Sequence, residues 1–309
     1  MPRVVTSNKI IFGESNGDIL VFSRDGSPFS RFNHRGGGAE EYSDVRGVIY
    51  NETAEEILVK SSTGIMVYSL TGEFKRAIPL LDGASVYSVA SYSPELLLLY
   101  DLNNVYPASF SLISKSDGRV IGAINVPDGD KLSRVIEIND RQHGTVFIRP
   151  SFRYIIRYKD GFLLNNFATD TLYFFSQNKE LSPFLVRLPG LHSTNPIVIL
   201  SGFVEAGNFQ FIQIERLQLE NPMMFLMRNR NTGSIYQQRI VFDDFRGKEI
   251  IISHSAIATT QNSRLGLISL DLTELQDAND EGRLSGRLQE IVKNSYEFGN
   301  NVFMLLHFK

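Results

Sequence analysis

The chain has 309 residues, a net charge of −3, 42 % hydrophobic residues and 21 % charged residues. This composition supports a large folded core and excludes a disordered chain, while the near-neutral charge gives no basic surface for nucleic acid. Because the sequence contains no cysteine, it has no disulfide, no cysteine-ligated zinc and no catalytic thiol.

The sequence contains no apolar run long enough to cross a bilayer, so we expect no transmembrane segment. The first residues, MPRVVTSNKIIF, lack the basic and apolar regions of a signal peptide. Two locations therefore remain open: the cytoplasm, or the cell envelope with an export segment outside the given sequence.

A repeated phrase dominates the first half of the chain: an apolar strand, a glycine turn and a second apolar strand. The phrase occupies residues 18–33, 64–80 and 109–126. Its turn glycines are Gly26, Gly72 and Gly118, and successive members lie 46 residues apart. A repeat of this length with several strands is typical of propeller blades.

Taken in chain order, strand patterns predict three strands in 9–33, four in 47–80 and four in 85–126. A fourth blade is predicted from 145–152, 154–167, 170–177 and 182–188, and a fifth from 209–219, 222–229 and 234–242. The sixth follows in 249–260, 264–272 and 301–309. We therefore predict an all-β fold, a six-bladed antiparallel β-propeller that forms a single domain over 1–309.

One helix is predicted near the C-terminus, over residues 284–295. Leu284, Leu288, Ile291 and Val292 recur there at helical spacing. The preceding segment 277–282 is acidic and turn-like. We expect this helix to pack outside the last blade, either as a cap on the sheet edge or as a docking helix.

Three further motifs resemble a known family. Arg35 to Tyr42 (RGGGAEEY) resembles a blade junction, DTLY at 170–173 with LSP at 181–183 resembles a fourth-blade motif, and residues 300–309 resemble a family ending. The chain is thereby similar to the six-bladed β-propeller lipoproteins of Bacteroidales, and 31–80 resembles NHL-type repeats.

The resemblance implies a propeller in the bacterial cell envelope, in a family whose molecular function is not established. The lipobox cysteine and signal peptide of that family have no counterpart in this sequence. Little precedes the strand at 9–15, so ring closure is expected to depend on residues 2–6 or on the C-terminal strand.

The junction supplies the first candidate binding residues: Arg35, Glu41 and Tyr42. Its glycines could cradle an anion, but no lysine and helix of a P-loop follow. Glu41 could bind a cation or a sugar hydroxyl. It could equally accept hydrogen bonds from loop amides, and this structural role is the one that we favour.

Arg149, Arg153 and Tyr154 form the second candidate group. Pro150 interrupts the strand there, so these side chains are expected at an exposed rim. Arginine beside aromatic rings suits carboxylates, sugars or peptides, although arginines lying along a sheet edge would give the same pattern. His254, near a predicted inner strand, is the last candidate binding residue.

The function predicted from these features is non-enzymatic recognition of a glycan, peptide or protein ligand at the central face of the propeller, in the cell envelope. No catalytic or metal-ligating motif is present, and no cofactor is expected. The alternative is a metal-dependent hydrolase or lactonase in the central channel, which would draw on Glu41, Asn103, Asn166 and His254. We expect a monomer that does not bind nucleic acid.

Overall fold

The computed structural model describes residues 3–127, 136–140, 144–148, 152–166, 169–220, 223–253, 259–260, 265–295 and 301–307. They fall into two compact units. Unit 1 lies within 1–136, 151–195 and 259–262, and unit 2 within 137–150, 196–258 and 263–309.

Unit 1 begins with three antiparallel sheets in which each strand pairs with the next strand in the chain. The first sheet contains β1 (Arg3–Val5), β2 (Lys9–Gly13), β3 (Asp18–Ser23) and β4 (Pro28–Asn33). The second contains β5 (Gly47–Asn51), β6 (Glu56–Lys60), β7 (Ile65–Ser69) and β8 (Phe74–Ile78). The third contains β9 (Val86–Ser91), β10 (Leu96–Asp101), β11 (Phe110–Ser114) and β12 (Val120–Ile124).

A two-stranded sheet of β13 (Ile136–Asp140) and β14 (Gly144–Ile148) follows in the chain. The fourth sheet of unit 1 then contains β15 (Ile155–Tyr158), β16 (Gly161–Leu164), β17 (Thr171–Phe175) and β18 (Leu181–Val186). A turn of 3₁₀ helix at Leu191–Ser193 comes after it.

Unit 2 contains a four-stranded sheet of β19 (Val198–Ala206), β20 (Phe209–Arg216), β21 (Met223–Asn229) and β22 (Ile235–Gln237). β23 (Ile240–Phe242) pairs with β24 (Phe245–Ile250). β25 (Thr259–Thr260) belongs to unit 1, and the chain then continues in unit 2 with β26 (Leu265–Leu270), α1 (Leu272–Asp280), α2 (Gly286–Lys293) and β27 (Val302–His307). β26 and β27 pair with each other.

β1, β5, β9 and β15, each the first strand of its sheet in chain order, are here called inner strands. β5 is adjacent to β1 and to β9, and β15 is adjacent to β9 and to β25. β25 pairs in parallel with β1, which also pairs with β2. The expectation that ring closure depends on residues 2–6 or on the C-terminal strand stays a prediction.

The core of unit 1 lies between its sheets. In β6, Ile57 and Val59 pack into the cluster shared with the first sheet, whereas Leu58 packs into the cluster shared with the third. Because successive side chains of a strand point to opposite faces, a strand covered on both faces is apolar throughout. This explains the uninterrupted hydrophobic runs of the sequence.

Several predicted elements differ from the structure. The segment 145–152 was predicted as the first strand of the fourth blade, but β14 pairs with β13 instead. The segment 154–167 contains two strands, β15 and β16, because Lys159 adopts a positive φ of 48° in a turn between them. β19 was not predicted, and neither was α1.

α1 includes Asp277 to Asp280, which were predicted as a turn. Asp271 caps the helix by accepting a hydrogen bond from the amide of Glu274. The predicted helix over 284–295 is present as the shorter α2. Both helices pack against the apolar residues of β24 and β26.

Candidate binding site

A group of tyrosines lies where β9 and β15 begin, and we call Tyr87, Tyr100 and Tyr154 the tyrosine cluster. The ring of Tyr154 is nearly parallel to that of Tyr100, with centroids 3.9 Å apart and planes at 13°. Tyr87 meets Tyr154 edge to face, with centroids 5.5 Å apart. Tyr154 is 4 % exposed, but Tyr87 is 63 % exposed, so the cluster presents one open aromatic ring.

The exposure of Tyr87 follows from an irregularity in β9. Ser88 pairs with Tyr100 and Val86 with Asp101, so Tyr87 is the extra residue of a β-bulge. A bulged residue leaves the regular alternation of the strand, and bulges frequently redirect a side chain. Tyr87 thereby points out of the sheet while its ring still touches Tyr154.

Two arginines lie close to Tyr154 in the sequence. Arg153 precedes Tyr154, is partly buried, and makes no hydrogen bond or ion pair within the described part of the chain. Burial lowers its pKa to about 10. No described carboxylate compensates this charge.

Arg157, on β15, is in a similar state. Its Nε is sealed from solvent without a hydrogen-bond partner, and its guanidinium lies 4.8 Å from the ring centroid of Phe162. Burial lowers the pKa of Arg157, and the charge of Asp160 opposes the shift only in part. A partly buried cation without a salt bridge is costly, so an anionic ligand would stabilise this side chain.

The predicted binding residues of the junction have partners inside the protein. Tyr42 is fully buried; its hydroxyl donates to the carbonyl of Gly17 at 2.6 Å and accepts from the amide of His34 at 3.0 Å. Glu41 Oε2 accepts from the amide of Gly38 at 2.8 Å. Arg35 Nε donates to the carbonyl of Ser43 at 3.2 Å.

These contacts hold the junction loop between β4 and β5. A Cβ at position 36 would collide with the carboxylate of Glu41, which explains the glycine there. Arg35, Glu41 and Tyr42 thus share one loop, whereas Arg153 and Tyr154 lie elsewhere in unit 1. No described contact joins the two groups. Their role in ligand binding stays a prediction.

The residues named for the enzymatic alternative are not brought to one point by the described contacts. Asn103 Nδ2 donates to the carbonyl of Gly83 at 3.0 Å, and Asn166 is buried. Arg149 and His254 lie outside the described residues. Among the described residues, no group of three or more histidine, aspartate or glutamate side chains is placed to hold a metal ion. The metal-dependent alternative stays untested.

Sequence reasoning found Arg153 and Tyr154 but missed Tyr87, Tyr100 and Arg157. Arg157 carries a usable signal, because a charge within the apolar segment YIIRY needs an explanation. Tyr87 carries none, since its exposure depends on a bulge that no local pattern shows.

Comparison with known proteins identifies the family. A family model described as 6-bladed beta-propeller matches residues 3–259, and the chain belongs to this family. No curated protein matches the chain.

Two solved structures are similar in fold. One is a protein from Bacteroides fragilis named as a candidate exported protein: the identity is 14 %, the match covers 100 % of this chain and 90 % of that one, and the TM-score is 0.67. The other is a DUF4221-family protein from Bacteroides vulgatus, with 12 % identity, coverage of 99 % and 92 %, and a TM-score of 0.51. The predicted six-bladed, nearly all-β propeller of antiparallel sheets is confirmed.

The described helices, α1 and α2 included, are too short or too polar to span a bilayer.

Proposed function

We propose that this protein is a non-enzymatic binding module of the bacterial cell envelope. Its ligand is an acidic glycan, bound where β9 and β15 begin, through Arg153, Arg157 and the tyrosine cluster. The observation that carries the proposal is the pair of partly buried arginines that make no salt bridge among the described residues, with Asp160 acting on Arg157 only at a distance.

The charge of the site specifies the ligand chemistry. A guanidinium presents paired N–H donors that match a carboxylate, and a partly desolvated arginine gains most from such a partner. The net charge of −3 gives the whole chain no general attraction for anions. Recognition of an acidic ligand therefore depends on these local cations.

The open ring of Tyr87 favours a glycan over a peptide. Aromatic rings offer a large apolar face at low conformational cost, and tyrosine combines that face with a polar hydroxyl. Tyr154 contacts this ring and is itself stacked on Tyr100, so the ring of Tyr87 is preorganised for stacking. A flat sugar face over Tyr87 with its carboxylate towards an arginine would use both features.

Two similarities support the envelope location, one in sequence motifs and one in fold. The junction and the chain ending resemble the Bacteroidales lipoproteins, and the similar structure from Bacteroides fragilis is named as a candidate exported protein. Fractionation of the source bacterium tests the location: the protein is expected with the envelope, and recovery from the cytoplasm alone would contradict it.

Binding is tested by titration calorimetry with oligogalacturonate, and with a neutral maltooligosaccharide of equal length as comparison. We expect the acidic oligosaccharide to bind and the neutral one to bind at least ~10-fold more weakly, with affinity falling as salt rises. Arg157→Met and Tyr87→Ala should each weaken binding at least ~10-fold. Arg119→Gln, at an exposed arginine of unit 1, is the matched control and should leave binding unchanged.

The proposal fails if both oligosaccharides bind equally, or if Arg119→Gln lowers affinity as much as Arg157→Met does. Binding of a poly-glutamate peptide in place of oligogalacturonate would identify a peptide ligand and contradict the glycan assignment.

A further inference from the structure

Unit 2 contains a cleft of about 290 Å³ between its four-stranded sheet and the sheet of β23 and β24. One wall is the start of β21, which borders the cleft because β22 pairs with β21 only from Leu226 onwards. The other wall is the end of β24. An apolar cavity of about 150 Å³ holds benzene, so this cleft has room for a molecule about twice that size. The apolar residues that line it are Met223, Met224, Phe225, Leu226, Ile250 and Ile251.

Gln238 connects the two walls of the cleft. Its backbone amide donates to the carbonyl of Phe225 at 2.8 Å. Its side chain accepts from the amide of Ile252 and donates to the carbonyl of Ile252, the latter at 3.1 Å. Gln238 is buried, and it pairs with both backbone groups of Ile252 as a neighbouring strand would. Since these bonds already hold the walls in place, a ligand does not have to order them.

An ion pair lies on the exposed side of the same cleft. Arg239 Nε donates to Glu249 Oε1 at 2.7 Å, and both residues line the cleft. An arginine has five N–H donors and a carboxylate has two acceptor oxygens. The contact therefore leaves the terminal nitrogens of Arg239 and Oε2 of Glu249 without a partner among the described residues. A donor fork and an acceptor thus lie side by side above an apolar surface.

The charges of this pair select one kind of small molecule. A ligand that carries only a carboxylate is attracted by Arg239 and repelled by Glu249, and a ligand that carries only an ammonium meets the opposite problem. A zwitterion satisfies both side chains at once. The apolar walls in turn require an apolar group on the same molecule, because a polar group would lose its hydrogen bonds with water there.

We propose that this cleft binds a free apolar α-amino acid of about the size of phenylalanine. The α-carboxylate pairs with the terminal nitrogens of Arg239, and the α-ammonium pairs with Glu249 Oε2. The side chain covers Met223 and Ile251, which are 42 % and 46 % exposed on opposite walls. Burial of apolar surface on both walls supplies the favourable free energy, and the ion pair supplies the specificity.

The test is titration calorimetry of the full chain with L-phenylalanine at pH 7. We expect a dissociation constant of ~1 mM or below. Phenethylamine lacks the carboxylate and hydrocinnamate lacks the ammonium, so each should bind at least ~5-fold more weakly. L-Serine keeps both charges without an apolar group and should also bind at least ~5-fold more weakly.

Substitutions locate the binding. Arg239→Gln and Ile251→Ser should each weaken binding of L-phenylalanine at least ~5-fold, and both positions are exposed, so the fold is retained. Arg287→Gln is the matched control, because Arg287 is an exposed arginine of unit 2 that pairs with Glu290 at 3.0 Å away from the cleft. It should leave binding of L-phenylalanine unchanged.

The proposal is overturned if L-phenylalanine does not bind at ~10 mM, if the two singly charged analogues bind as well as it does, or if Arg287→Gln weakens binding as much as Arg239→Gln. Tighter binding of a phenylalanine peptide blocked at both ends would assign the cleft to peptides and would also overturn it. Arg239→Gln should leave oligogalacturonate binding unchanged, and Arg157→Met should leave phenylalanine binding unchanged, so this proposal and the proposed function stand or fall separately.

Discussion

Replacement of Glu56 by glutamine tests a buried ion pair within the second sheet of unit 1. Glu56 is 7 % exposed at the start of β6, and its two oxygens accept from the two terminal nitrogens of Arg76, each at 2.7 Å. Arg76 Nε donates in turn to the carbonyl of Lys115 at 3.0 Å, which joins the second sheet to the third. Glu56→Gln preserves the size of the side chain but removes its charge and one acceptor.

The expected loss follows from the burial of the pair. Removal of one partner of a fully buried ion pair costs about 3–5 kcal/mol. The side chain of Arg76 is 30 % exposed, so water recovers part of this loss. We expect Glu56→Gln to lower the free energy of unfolding by about 2 kcal/mol at pH 7.

The loss should depend on pH in a defined direction. Hydrogen bonds from Arg76 lower the pKa of Glu56 in the folded protein below its ordinary value of 4.5. A carboxyl with a lowered pKa stabilises the folded state at pH values above its unfolded pKa, and this stabilisation disappears as pH falls through the folded pKa. The difference between wild type and variant should therefore be complete at pH 7 and smaller below pH ~4.

Urea unfolding followed by circular dichroism at pH 7 and pH 4 measures both effects. Glu73→Gln, at an exposed glutamate of the same sheet, should change stability by less than ~0.5 kcal/mol. A loss below ~0.5 kcal/mol for Glu56→Gln at pH 7, or a loss as large at pH 4 as at pH 7, would refute the reasoning.

Three further substitutions test other parts of the structure. Tyr42→Phe should lower the free energy of unfolding in urea by about 1–3 kcal/mol, because the partners of its hydroxyl lose their hydrogen bonds. Tyr50→Phe, at a buried tyrosine without such bonds, should lower it by less than ~0.5 kcal/mol. Equal losses would contradict this reasoning. Gly72→Ala should lower the same free energy of unfolding by at least ~2 kcal/mol, since Gly72 has a φ of +92° and a Cβ would lie 2.6 Å from Phe32. An unchanged midpoint of urea unfolding would exclude this strain. Arg157→Met should raise the melting temperature measured by calorimetry while it weakens oligogalacturonate binding, because it removes a desolvated cation that Asp160 compensates only in part. A lowered melting temperature would show that Arg157 is structural.

Much of the architecture was predictable because it depends on local pattern. The strands of the first three sheets follow from apolar runs and turn glycines, since alternation and turn conformation are properties of neighbouring residues. Gly72 shows this well: its positive φ lies at the turn that the repeat predicts. The same reasoning failed at β14, where an apolar segment pairs outside the expected blade, because strand pairing is a tertiary choice.

The amino-acid sequence by itself determined the repeat, the propeller class and the arginine and tyrosine at 153–154. The tertiary structure alone decided that a bulge exposes Tyr87 against Tyr154. It also decided that the side-chain amine of the buried Lys115 donates hydrogen bonds while the amine of the buried Lys60 makes none within the described part of the chain. Both lysines follow an apolar strand pattern and look alike in the sequence. Their difference arises because desolvation and pairing are set by side chains that other strands bring near, and these distances have no local signature.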